Sequence, residues 1–207
     1  MLTVVTPAAD RKLLTEAEMR AAAGLPADDA SQDPALAALN DEVSAILTTA
    51  CRVARAGVIA PTLRQETLSE TFRSTCDGEM WLSRHPVASV TSIHRDSDLV
   101  APEGYAFDAA TGRIDRILSS PTLSWRPGSY VVVYTAGWAD VPVELKLAAK
   151  KLVAALRSET ARDPSLKRVE IPGVITREWW VGPKDDPLIP GEVMSLISPF
   201  VNHAREP

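Results

Sequence analysis

The chain has 207 residues, 45% of them hydrophobic and 24% charged, with a net charge of −5. That length holds one domain, or one compact body with an extension, and the balance excludes a disordered or fibrous polymer. Charge is spread, with 5 basic and 8 acidic residues in 1–61, 7 and 9 in 62–138, and 10 and 10 in 139–207, so no segment has the excess of Lys and Arg that gripping phosphates requires.

Leu14 to Ala23 carries the first helix signal. Thr15 followed by Glu18 fits a capping box, Gly24 permits the left-handed turn that ends a helix, and Pro26 blocks continuation. Residues 26–34 read as a polar linker. From Pro34 the apolar positions Leu36, Leu39, Val43, Ile46, Leu47, Ala50, Val53 and Ala54 recur every three or four residues, which predicts a long amphipathic helix over 35–56 closed by Gly57.

Near Thr62 the period changes to two. Residues 63–75 alternate, with Leu68, Glu70 and Phe72 on one face, and Asp77-Gly78 marks a turn into a returning hairpin strand at Glu79 to Ser83. Another strand starts at Val87, with Val87, Ser89, Thr91 and Ile93 on one side. Tyr105 to Asp108 and Arg113 to Leu118 flank a Thr111-Gly112 turn. Ser129 to Thr135 is the most apolar strand and is expected at the sheet centre. The β region thus covers 62–136. Asp140 and Pro142 then start a helix over 142–162 with Leu145, Ala149, Leu152 and Leu156 as its core stripe.

The order of elements predicts an α+β fold. The N-terminal helices (14–23 and 35–56) and the later helix (142–162) pack as a small bundle, with an antiparallel sheet inserted between them and an extended C-terminal arm. The expected body is 1–163 and the arm 164–207. The last 44 residues hold seven prolines and two of the five tryptophans. Residues 174–181 have strand character, and 190–197 could make two helical turns. The apolar anchors of the arm are Trp179, Trp180, Leu188, Ile189, Val193, Leu196, Ile197 and Phe200, suited to packing on the body or on a neighbour.

No apolar run reaches the roughly 18–20 residues of a membrane span. Met1 to Lys12 lacks the basic start and apolar stretch of a secretory signal, so a cytoplasmic chain is expected. Cys51 and Cys76 fit no metal spacing and are expected to be reduced, packed thiols. His85, His94 and His203 stand apart, so a zinc site lacks ligands, and His85 is expected at the surface before Pro86. No nucleophile-elbow, Walker-type or dinucleotide glycine pattern occurs. Asp96-Ser-Asp98 and Asp185-Asp186 read as solvated turns, and Lys146, Lys150 and Lys151 as a wet helix face. The residues point to no catalytic site, metal or cofactor.

Three stretches resemble one family. Leu82-Ser-Arg-His-Pro-Val-Ala-Ser-Val resembles a segment of tailed-phage and gene transfer agent head–tail connector (adaptor) proteins. Tyr105-Ala-Phe-Asp with Gly112-Arg-Ile resembles their short hairpin. Val131-Val-Val-Tyr-Thr-Ala-Gly-Trp, then Val141-Pro142 and the helix to Arg162, resembles their strand, Ala-Gly, Val-Pro and helix passage. The likeness covers residues 1–165.

The resemblance implies a non-enzymatic structural protein of a phage-like particle. Such adaptors form a ring, twelve-fold in expectation, under the portal of a DNA-filled head and carry the stopper and tail-completion proteins. Double-stranded DNA passes through the channel without sequence-specific binding, and the particle neck is the destination after cytoplasmic assembly. The resemblance places portal contact on residues 183–207. A stopper or tail-terminator component is the near alternative, and a metal-dependent hydrolase using Asp96, Asp98 and a histidine is the alternative from another class.

Overall fold

The computed structural model describes residues 1–73, 79–117, 122–160, 168–171, 175–178 and 189–202. Strand β1 (Leu2–Thr6) leads to helices α1 (Glu16–Ala22) and α2 (Asp33–Ala50), then to strands β2 (Glu66–Arg73), β3 (Glu79–Trp81), β4 (Val87–Arg95), β5 (Asp98–Val100), β6 (Tyr105–Phe107), β7 (Arg113–Ile117), β8 (Thr122–Leu123) and β9 (Ser129–Ala136). Helix α3 (Val143–Thr160), a hairpin of β10 (Arg168–Ile171) with β11 (Ile175–Glu178), and helix α4 (Gly191–Ile197) complete the order. This is the α+β arrangement the sequence predicts.

Two hydrophobic cores form. The helical core unites Met19 of α1, Val43 and Leu47 of α2, Leu145, Leu152 and Val153 of α3, and Val193 and Ile197 of α4. The β core lies between a five-stranded sheet, ordered β1-β2-β9-β4-β5, and a smaller one in which β3, β7 and β6 are neighbours. Its centre is Leu68, Ile93, Ile114, Val132 and Tyr134, all fully buried. Strand β9 is central, as its apolar content requires, because both its edges are paired.

The helix ends follow from capping chemistry. Thr15 and Glu18 make the reciprocal capping box. Glu18 also meets Lys146 of α3 at 3.2 Å. Burial works against its charged form, but the Thr15 amide and Lys146 outweigh it and hold the carboxyl below its ordinary value. Helix α1 closes on Gly24 at φ +70°, with Leu25 N–H donating to the Arg20 carbonyl.

Helix α2 ends at Ala50 rather than at residue 56. Arg52 takes the left-handed conformation (φ 54°), so its N–H donates to Thr49 and the Val53 N–H to Thr48. That Schellman closure needs no glycine, and Val53 still packs on the helical core as its periodicity demands. Helix α1 spans Glu16–Ala22 within the expected 14–23, and α3 starts at Val143, one residue after the expected 142.

Three strand expectations change. Strand β1 pairs with β2, a role its short apolar run did not reveal. Strand β3 does not return as a hairpin partner of β2; it pairs with β7 in the other sheet, and Asp77-Gly78 lies outside the described residues. In β4 the inward residues are Val87, Val90 and Ile93, opposite Ala136, Tyr134 and Val132 of β9. Two bulges reset the alternation that would have placed Ser89 and Thr91 inward.

Gly137 joins the two cores. It sits at φ +97°, and a Cβ there would lie 2.5 Å from the Arg64 carbonyl oxygen. The close approach lets Trp138 N–H donate to Leu63 O at 2.9 Å and Gln65 N–H to Trp138 O at 3.1 Å. Gly137→Ala is therefore expected to cost about 2–4 kcal/mol, the sum of left-handed strain and backbone displacement, as a fall in urea midpoint at unchanged slope.

Candidate functional site

The residues that carry the resemblance converge where the two cores meet. Strand β2 alternates Glu66, Leu68 and Glu70 toward the interior, so two carboxylates enter the molecule on the same face as a core leucine. A buried carboxylate must be paired, and the Ser83-Arg84-His85 run supplies the partners.

Arg84 Nη1 lies 3.0 Å from Glu66 Oε2, with side chains 5% and 0% exposed. Its Nε donates to Ala54 O at 2.7 Å and Nη1 also reaches Thr62 O at 3.3 Å, which ties the segment after α2 to the same guanidinium. Burial pushes the Arg84 guanidinium below its usual value, and the Glu66 charge opposes that. Glu70 accepts from Ser83 N–H at 3.0 Å, from the Ser83 hydroxyl, and from the Tyr134 hydroxyl at 2.9 Å. Burial, reinforced by the Glu70 charge, drives the Tyr134 phenol far upward, so it stays a donor at any working pH.

His85 is half-buried rather than at the surface. Its Nε2 lies 2.8 Å from Asn202 Oδ1, while Asn202 Nδ2 donates to Ser83 O at 3.0 Å. The second bond orients the amide, so the imidazole donates through Nε2. Asn202 N–H also donates to Cys51 O at 2.8 Å. One residue near the C-terminus thus clasps the end of α2 to the segment before β4. Beside it lies a cleft of about 210 Å³ walled by Val53, Leu63, Pro86, Trp138 and Phe200. The Trp138 and Phe200 rings meet edge-on at 6.0 Å.

The arm residues divide. Val193 and Ile197 are fully buried in the helical core of their own chain, and Ile189, Leu196 and Phe200 pack against it. Trp179, Trp180 and Leu188 lie outside the described residues, as do Asp185, Asp186, His203 and Cys76. Sequence periodicity could not separate an arm that folds back from one that reaches out, because both need apolar anchors.

The remaining candidates are structural. Asp96 and Ser97, at φ 48° and 83°, form the two-residue turn between β4 and β5, and Asp96 Oδ1 accepts from Ser129 N–H at 2.9 Å. The lysines of α3 face carboxylates, Lys146 and Lys150 sharing Glu18 and Lys151 meeting Glu192. Cys51 is buried and free, its thiol pushed up to about 11 by burial. No group of three or more metal-ligating side chains occurs among the described residues.

Residues 12–159 match the head completion protein family. The chain belongs to that family. It is a head–tail connector component of the phage-like particle class, and the matched span includes residues 82–90, 105–114 and 131–142 of the sequence resemblance. Among solved structures, a chain from a virion of a native gene transfer agent particle is 25% identical, with a TM-score of 0.53, over 83% of this chain and 89% of that one. A chain from the neck of an empty gene transfer agent particle, computed with C6 symmetry, has the same fold at 24% identity and a TM-score of 0.52, over 80% of this chain and 88% of that one. No curated protein matches. No described helix of this head completion protein is long and apolar enough to cross a membrane.

The family residues 82–86 and 134–138 are thus seam residues. Removing one partner of the buried pair leaves the other charge unpaired, so Arg84→Ala is expected to lose about 3–5 kcal/mol in urea unfolding. Arg84→Met with Glu66→Leu should recover most of that loss, and a double-variant loss equal to the sum of the Arg84→Met and Glu66→Leu losses would show that the charges are not coupled.

Proposed function

We propose that this head completion protein is the adaptor of the neck. Copies form a ring, twelve-fold in the simplest reading, beneath the portal of a filled head, and offer the next surface to stopper and tail-completion proteins. The observation that carries this reading is the family match over residues 12–159, which spans both cores and the seam between them. Assembly takes place in the cytoplasm of the producing bacterium, and the ring then resides in the particle neck.

The chemistry supports a binding role without turnover. His85 bonds Asn202 and Asp96 accepts from the Ser129 amide, so both side chains serve contacts within the fold. A net charge of −5 per copy, with the three lysines of α3 each beside a carboxylate, gives a passing duplex little to adhere to. Particles lacking this chain are expected to package DNA and to accumulate as tailless heads in electron micrographs. Normal tail attachment in its absence would sink the adaptor reading.

In this reading portal contact, which the resemblance assigns to residues 183–207, uses the outer side of α4. Val193 and Ile197 are occupied in the core and Glu192 bonds Lys151 of α3, so Met194 and Ser195 form the side that faces away. Deleting the whole segment would uncover the helical core and confuse unfolding with lost docking. Met194, 41% exposed, gives a cleaner test. Met194→Asp is expected to melt like the parent and to co-sediment at least tenfold less with portal-bearing heads.

A further inference from the structure

The outward face of the five-stranded sheet carries no Asp, Glu, Lys or Arg over its central rows, and His94 is its one titratable side chain. Thr71, Val131, His94 and Leu99 stand opposite one another across β2, β9, β4 and β5. Thr3, Ser69, Val133 and Ser92 make the next row, and Thr6, Thr67, Thr135 and Ser89 the third. All twelve are half-buried or exposed. A chain that is 24% charged would place about three charges on twelve positions, and more on surface ones. Removing a formal charge from water costs far more than removing a neutral hydroxyl, and depletion of charge marks the middle of protein interfaces.

The same chain exposes a matching ridge. Along α3, Val143 (77% exposed) and Leu147 (43%) are followed on the same line by Ala154 and Ser158, also exposed. Lys151, the charge between them, is tied to Glu192 of α4 at 2.6 Å. From Val143 to Ser158 the ridge runs about 22 Å, and four strands present a face about 19 Å wide. The ridge belongs to the helical core and the face to the β core, so they are two different patches on one molecule.

We propose that copies of this chain join by seating the α3 ridge of one on the uncharged sheet face of the next. The proposal rests on the adaptor reading for the existence of a ring and names the surfaces that build it. A contact between two unlike patches propagates in one direction and closes into a ring when the rotation permits. The face covers about 400 Å² per partner, half the roughly 800 Å² of a stable pairwise interface. Pairs in solution are therefore weak, and the ring forms where a portal holds copies at high local concentration.

Val133→Lys and Leu147→Glu each alter an outward side chain and are expected to melt like the parent. Each should fall at least tenfold in incorporation into particle necks, and the double variant, which sets lysine against glutamate across the contact, should recover much of the loss. Normal incorporation of either single variant overturns the proposal. Photo-crosslinking from a benzoyl-phenylalanine at Thr71, in particles built from mixed light and heavy nitrogen copies, reads the neighbour directly even where a variant folds poorly. Crosslinks to α3 peptides of the other isotope are expected. Crosslinks to portal or stopper peptides, or none in particles that contain the chain, overturn this interface and leave the adaptor reading standing. Absence of the unsubstituted chain from necks removes the adaptor reading itself.

Discussion

The Arg84–Glu66 pair, with Glu70, Tyr134 and Ser83 beside it, is the constraint on which the rest of the molecule depends. Two apolar cores of different architecture share one chain, and neither sheet is roofed by the helices. What joins them is a polar seam, with Gly137 and Trp138 closing the backbone between. Ion pairs withdrawn from water add little net stability over an apolar contact of equal volume. They impose geometry instead. A guanidinium that bonds Glu66, Ala54 and Thr62 together has one arrangement, whereas apolar side chains in the same place could slide.

Much of the architecture was legible because its causes are local. The Thr15–Glu18 capping box, the heptad-like stripe of α2, the apolar run of β9 and the Val-Pro start of α3 each carry their own physical signal, and each element formed. The failures have non-local causes. Strand β3 looks like the second arm of a hairpin because Asp77-Gly78 is a turn sequence, yet its partner β7 lies more than thirty residues away. The bulges in β4 depend on its pairing with β9, so strict alternation picked the wrong face. Arg52 ends α2 in a conformation that composition assigns to glycine.

The seam was not legible in the sequence. Alternation puts Glu70 on one face with Leu68 and Phe72, but alone it does not say that the face buries a carboxylate or what pairs with it. The resemblance motif contains Arg84, but nothing in it ties that residue to a buried carboxylate. Asn202 had no signal at all, because a clasp between the C-terminal segment and the end of α2 exists only once both cores are folded. The same clasp explains why part of the arm is body. Its buried face completes the helical core, and only its outer face is left for other molecules.

A ring imposes a demand that a lone subunit never meets. Any error in the angle between the halves of one copy is repeated at each position, and it accumulates around the circle until the last copy no longer meets the first. If one half of each copy bears the donor patch and the other the acceptor, the angle between halves is the closure angle. Directional bonds from a single guanidinium suit that task, because they fix orientation with a tolerance that greasy packing lacks. The expensive burial of a charge at the waist of this protein would then be repaid in symmetry rather than in melting temperature.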